Sequence, residues 1–121
     1  MSYAAQAYAR TAQQTSSPRE TEAQALLKAA RMLQDAMARL DEIDSGIQRA
    51  LMFNRKLWSI FVGDAVNDRN PEKIETRQNV ANLGIFVLSQ SAALQLKPER
   101  DKIQALIDIN LQIAAGLSGR P

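Results

Sequence analysis

The stretch that decides the fold is residues 51–58, Leu51-Met52-Phe53-Asn54-Arg55-Lys56-Leu57-Trp58. On an α-helix the tryptophan lies one turn after the asparagine, and both share a face with Leu51. Ile47 and Phe61 extend this face in the two directions along the chain. The face is therefore either a helical core that contains one polar side chain or a surface on which a partner docks.

The composition predicts an all-α protein. The chain has 121 residues, of which 45% are hydrophobic but only 5% aromatic, and it contains five glycines and four prolines. Such a chain is long enough to bury one core, and its wealth of Ala, Leu, Gln and Arg favours helices over strands. The absence of Cys and His from the sequence excludes disulfides and thiolate zinc sites, and it removes the usual carriers of metal and general-base chemistry.

Charge and hydropathy narrow the class of partner. Fifteen basic and thirteen acidic residues are interleaved along the chain, whereas nucleic-acid binding proteins usually concentrate basic residues in a patch. The N-terminus lacks a basic leader followed by an apolar run, and no window approaches the ~20 apolar residues of a membrane span. We therefore expect a cytoplasmic protein with no direct nucleic-acid contact and no membrane insertion.

The first two predicted helices follow from capping signals and apolar periodicity. Ser17 can cap a helix that begins at Pro18 and ends near Asp41. A second helix begins after Asp44 or Ser45 and ends within residues 63–68, unless it continues from the first helix with a bend.

Two further helices complete the prediction. Asn70-Pro71 predicts a third helix from Pro71 to about Leu96, although residues 84–88 alone would also suit a buried strand. This helix is apolar on two faces, so we expect other helices to cover both and place it at the centre of the bundle. Lys97-Pro98-Glu99 opens the last helix, which Gly116 or Gly119 should end.

The sequence thus predicts a compact bundle of four main helices plus a short N-terminal helix or arm. Residues 1–15 form that arm and residues 16–118 form a single bundle domain. Tyr3 and Tyr8 are the only bulky apolar side chains of the arm, so docking through these tyrosines and mobility remain equally open.

Two asparagines interrupt the apolar stripes. Asn54 interrupts the stripe of the second helix, and Asn110 that of the fourth. A buried amide without a partner costs about 1–3 kcal/mol in proteins. We therefore interpret Asn54 and Asn110 as polar pins that bond to each other, to Gln78 or to a backbone carbonyl and fix the helix register. Direct contact with a ligand is the alternative.

Candidate partner contacts lie beside these pins. Trp58 is first a core residue, yet tryptophan and arginine are enriched among the residues that dominate binding at interfaces. Arg55 lies about one turn from Trp58, and Lys56 follows it. We predict a partner-binding set of Arg55, Lys56, Trp58 and the two arm tyrosines Tyr3 and Tyr8. The carboxylates show no acid–base spacing and no Gly-rich turn suits phosphate, so we expect neither an enzyme nor a cofactor.

Four segments carry a resemblance to a known family. They are Ser2-Tyr3 with Tyr8, Ser17-Pro18-Arg19-Glu20-Thr21-Glu22, Ala50-Leu51 followed by Asn54-Arg55-Lys56-Leu57-Trp58, and Leu106-Ile107-Asp108-Ile109-Asn110. In this order, and over nearly the whole chain, the sequence resembles the FlaF family of flagellar biosynthesis regulators. Phe53 departs from the family pattern, which often has Trp there.

The resemblance implies a small cytoplasmic protein of flagellated α-proteobacteria that binds flagellin as a chaperone-like factor. Such a protein promotes flagellin production or export together with the regulator FlbT. A groove lined by residues 51–61, with the N-terminal arm as a lid, would shield an amphipathic helix of flagellin. The alternatives are a regulator that contacts the flagellin messenger itself and a scaffold that stabilises FlbT. The oligomeric state stays open.

Overall fold

The computed structural model describes residues 17–119, and this part of the chain folds into four α-helices without a strand. The helices are α1 (Pro18–Ala38), α2 (Ile47–Ala65), α3 (Ile74–Leu96) and α4 (Arg100–Leu117). The predicted all-α bundle is confirmed, and residues 84–88 are helical. The predicted N-terminal arm with Tyr3 and Tyr8 lies outside the described residues, so the division of the chain at residue 15 stays a prediction.

Helix α1 begins where the capping signal predicts and ends slightly earlier than expected. The Ser17 hydroxyl accepts a hydrogen bond from the Glu20 amide at 3.1 Å, and Pro18 takes the first helical position. At the other end, the Arg100 guanidinium donates to the Met37 carbonyl at 2.7 Å. This bond gives a carbonyl in the last turn of the helix a partner from α4. The helix ends at Ala38 rather than near Asp41.

The junction between α1 and α2 is a turn and not a bend in one long helix. Gly46 precedes α2 with a φ of +84°, a left-handed conformation that glycine adopts without steric cost. The Ser45 hydroxyl accepts from the Ile47 amide at 3.3 Å, so Ser45, one of the two predicted caps, supports the first turn of α2.

Helix α3 begins at Ile74, so the predicted start at Pro71 is wrong. Asn70 was expected to cap the helix, but its amide is used in the loop: Oδ1 accepts from the Glu72 amide and Nδ2 donates to the Asp64 carbonyl at the end of α2. This local turn holds Pro71 outside the helix. Arg77 strengthens the same corner by donating to the Ala65 carbonyl at 2.8 Å.

The four helices share one core but pair unequally. Helix α1 packs along α4 and less closely on α2, and α2 packs along α3. The α2 and α4 backbones do not approach each other, so these helices occupy opposite corners of the bundle. All four contribute to a single buried cluster that includes Leu26, Leu51, Val87 and Leu106. Gly119, with a φ of +73°, follows α4, whereas Gly116 lies inside it.

Helix α3 lies at the edge of the bundle, so its predicted central position is wrong. It packs on α2 and barely touches α4. Its buried residues are only Gly84, Val87, Ser91 and Leu94. The prediction assumed that helices of the same chain cover every apolar face, whereas no helix within residues 17–119 covers the second face of α3.

Candidate partner-binding surfaces

A buried polar network joins the two opposite corners of the bundle. The Trp58 indole Nε1 donates to Asn110 Oδ1 at 2.9 Å, and Asn110 Nδ2 donates to Asn54 Oδ1 at 2.7 Å. Of the partners that the sequence left open for the two asparagines, the structure shows the bond between them; the sequence did not show that Trp58 takes part. These side chains therefore form hydrogen bonds between two helices whose backbones make no close contact.

The network ends in a donor without an acceptor. Asn54 Nδ2 is buried and has no hydrogen-bond partner among residues 17–119. Such a group costs about 1–3 kcal/mol. The two bonds that the network does make join α2 to α4, and the role of the asparagines in fixing the helix register stays a prediction.

The predicted partner contacts separate onto opposite sides of α2. The Trp58 side chain is only 1% exposed and meets the Phe61 ring edge-on, with the ring centroids 5.4 Å apart. Trp58 thus belongs to the core in this fold, and its assignment as a partner contact stays a prediction. Arg55 and Lys56 are exposed on the outside of the helix. The arm tyrosines lie outside the described residues.

The outer face of α3 exposes large apolar side chains and carries no charge after its first turn. Residues 78–96 contain no acidic or basic side chain. Within this run Ile85 is 59% exposed, Phe86 46% and Leu96 91%. Exposed apolar patches on soluble proteins often mark interaction sites. These residues were not among the predicted contacts, although a helix that is apolar on two faces was a signal for them.

The outer face of α2 adjoins that of α3. Gln48 donates to the Gln95 carbonyl at 3.0 Å, and the Arg55 guanidinium approaches the Gln95 side-chain oxygen at 3.5 Å. A shallow depression of about 520 Å³ on α2 is lined by Met52, Arg55, Lys56, Ser59 and Ile60. We use the name α2/α3 outer surface for a set of exposed residues on the two helices; its members are Arg49, Met52, Arg55, Lys56, Ser59, Ile60, Ile74, Ile85, Phe86, Ala92 and Leu96.

A second concave site lies at the other end of the bundle. This cleft of about 510 Å³ opens between the start of α1, the end of α2, the start of α3 and the end of α4. Leu83, Ile113 and Leu117 contribute apolar walls, and Glu22 and Asp64 are among the charged lining residues. Partial burial, reinforced by the neighbouring Asp64 carboxylate, raises the pKa of Glu22. Both acidic and basic side chains line the cleft, so its charge favours no single class of ligand.

Two kinds of feature, a metal-binding cluster and a membrane-spanning helix, are absent from residues 17–119. No group of three or more acidic side chains in this part of the chain is arranged to hold a metal ion. None of the four helices found there is long and apolar enough to cross a membrane.

Comparison with known proteins supports the resemblance seen in the sequence. The model of one family, described as flagellar protein FlaF, matches residues 4–117. No curated protein and no solved structure matches the chain.

Proposed function

The chain belongs to the FlaF family of flagellar proteins, and we propose that it binds flagellin in the cytoplasm as a chaperone-like factor. In this role it promotes flagellin synthesis or secretion together with FlbT. The proposed role is non-catalytic and requires no cofactor. It asks the protein only to hold a partner and to shield apolar surface from water.

The observation that carries the proposal is the uncovered apolar face of α3. Within residues 17–119, Ile85, Phe86 and Leu96 are exposed on a helix that packs mainly on α2. An amphipathic helix can bury its apolar side on such a face. Unassembled flagellin offers helices of this kind, and covering them would prevent premature association.

This location differs from the groove expected from the sequence. The inner side of residues 51–61, with Asn54 and Trp58, is buried in the bundle. Its outer side, with Arg55 and Lys56, adjoins α3. A partner on the α2/α3 outer surface would therefore contact the exposed part of the predicted set and leave the polar network undisturbed.

Gel filtration of the full chain with purified flagellin tests the proposal. We expect co-elution of the natural protein and loss of co-elution for Ile85→Asp, because a carboxylate at the interface would have to be desolvated. Ile43→Asp is the matched control, since Ile43 is fully exposed in the turn between α1 and α2. Circular dichroism confirms that both variants fold. Co-elution of folded Ile85→Asp would contradict the proposed location, and no co-elution of the natural protein would contradict the function.

One observation favours a second candidate function. Residues 47–63 contain three basic side chains, Arg49, Arg55 and Lys56, and no acidic one. A regulator that contacts the flagellin messenger could use them for phosphate, and its affinity would fall steeply with salt because counterions are released on binding. Mixing the chain separately with flagellin, FlbT and leader RNA distinguishes the chaperone, the FlbT scaffold and the RNA-binding regulator.

A further inference from the structure

We infer that the α2/α3 outer surface receives a single amphipathic helix whose apolar stripe is bordered by acidic residues. The inference rests on the proposed function and names the chemistry of the partner segment. The helix bound to this surface carries negative charge along the edge that faces α2.

The shape of the surface suits a helix of about six turns. Ile74, Ile85 and Leu96 are exposed and follow each other at intervals of eleven residues. Eleven residues make about three turns of an α-helix, so the three side chains lie on one side of α3. With a rise of about 1.5 Å per residue, this line of apolar contacts extends over ~33 Å. A bound helix of about 22 residues would extend along the whole of this line.

The charge of the surface is one-sided. The run of residues 78–96 on α3 is uncharged, and residues 47–63 on α2 carry only positive charge. Acidic side chains flank the surface only beyond these runs, where Asp64 follows on α2 and Glu75 precedes on α3. A bound helix would therefore meet apolar side chains along α3 and positive charges along α2.

The positive charges are free to take a new partner. Arg49, Arg55 and Lys56 form no ion pair with any residue in the described range 17–119. The Arg55 guanidinium makes one long contact, 3.5 Å to the Gln95 side-chain oxygen. A carboxylate can replace that contact with two shorter charge-assisted bonds, because guanidinium and carboxylate match in geometry. Charge complementarity thus selects an acidic edge on the partner.

Two designed peptides test this inference without assuming the identity of the partner. Both form amphipathic helices with the same leucine stripe, and the residues that border the stripe are Glu in one peptide and Lys in the other. We expect the full chain to bind the Glu peptide about tenfold more tightly at low salt, and the difference to shrink at high salt as the charges are screened. Fluorescence anisotropy of the labelled peptides measures both affinities.

Variants of the full chain locate the effect. Arg55→Glu should reduce or invert the preference for the Glu peptide, whereas Arg31→Glu, an equal change of charge on the exposed side of α1, should preserve it. Ile85→Asp should weaken the binding of both peptides.

Equal affinity for the two peptides, or a preference that survives Arg55→Glu, would overturn the inference. If flagellin co-elutes with the chain in that case, the proposed function stands; if the Glu peptide binds as expected but flagellin does not, only the function fails.

Other occupants of the surface give distinct outcomes. A dimer in sedimentation experiments that Ile85→Asp converts to monomers would assign the surface to a second copy of the chain. Peptide binding that appears only in a Tyr3→Ala, Tyr8→Ala variant would assign it to residues 1–16. Single-stranded RNA that displaces the Glu peptide and binds more tightly would assign the basic edge to nucleic acid. Each of these results would overturn the inference.

Discussion

Helices α3 and α4 are both rich in apolar residues, but they distribute them differently. In α4 the stripe of Ile103, Leu106, Ile107 and Ala114 is buried, and charged side chains such as Asp108 lie on the outside. In α3 apolar residues occupy both the inner and the outer side, and the outer ones remain in water. Helix α4 is thus covered by helices within residues 17–119, whereas no helix in this range covers the outer side of α3.

The exposed sides of α3 and α4 differ in composition. A helix that packs only within its chain needs polar residues on its outer side for solubility. The outer side of α3 has amides, hydroxyls and alanines but no charge between residues 78 and 96. Desolvating these uncharged side chains costs less than desolvating charged ones, so a partner could cover this side of α3 more easily than a charged surface.

The largest expected effect comes from truncating one isoleucine on each helix. Ile107→Ala on α4 should lower the free energy of unfolding by about 2–5 kcal/mol, because Ile107 is fully buried and its removal leaves a cavity. Ile85→Ala on α3 should change it by less than about 0.5 kcal/mol, since the side chain is already in water. Urea denaturation of both variants measures the difference. Equal losses would mean that α3 is covered within the chain.

A second contrast compares two buried polar residues, Asn110 of α4 and Ser91 of α3. Asn110→Ala should cost about 2–4 kcal/mol, because it breaks two hydrogen bonds and leaves the Trp58 indole and Asn54 without partners. Ser91→Ala on α3 should cost less than about 1 kcal/mol, since its hydroxyl bonds only to the Val87 carbonyl of its own helix. Thermal unfolding compares them, and similar losses would argue against a special role for the network.

The glycines inside α3 and α4 give the smallest effect and the clearest sign. A Cβ at Gly84 would overlap the Val62 Cγ2 methyl, whereas one at Gly116 meets nothing within 4 Å. Gly116→Ala should therefore stabilise the protein by up to about 1 kcal/mol through helix propensity. Gly84→Ala should destabilise it by about 1–2 kcal/mol because α2 and α3 must separate.

A double variant provides the control for this contrast. Val62→Ala should remove most of the penalty of Gly84→Ala, since it deletes the methyl group that a new Cβ would meet. Urea denaturation of the single and double variants gives the coupling energy between the two sites. Simple additivity would show that Gly84 matters for another reason than the close approach of α2 and α3.

Local signals in the sequence predicted most of the fold. The Ser17-Pro18 cap and the regular apolar stripes act within a few residues, so the start of α1 and the number of main helices followed from them. The start of α3 could not be predicted in this way. Asn70 reaches back to the Asp64 carbonyl of the preceding helix, and a single-sequence pattern does not reveal which of two nearby backbones an amide will choose.

The candidate site was predicted only in part for a similar reason. Arg55 and Lys56 are exposed as a contact pair should be. The sequence placed Trp58 first in the core but did not indicate its bond to Asn110. That bond depends on α4, which lies more than one helix further along the chain. The exposure of Ile85 depends on the absence of a neighbour, and periodicity alone cannot distinguish a face covered by the same chain from a face left for a partner.

The unequal pairing of the helices also sets an order of assembly during folding. Helices α2 and α3 are joined by residues 66–73 and pack on each other, whereas α1 must wait for α4, from which residues 39–99 separate it. Closing the shorter loop costs less chain entropy, and contacts between near neighbours in sequence form faster. We therefore expect the α2–α3 hairpin to form before α1 pairs with α4, so that the α2/α3 outer surface takes shape before the ends of the bundle close.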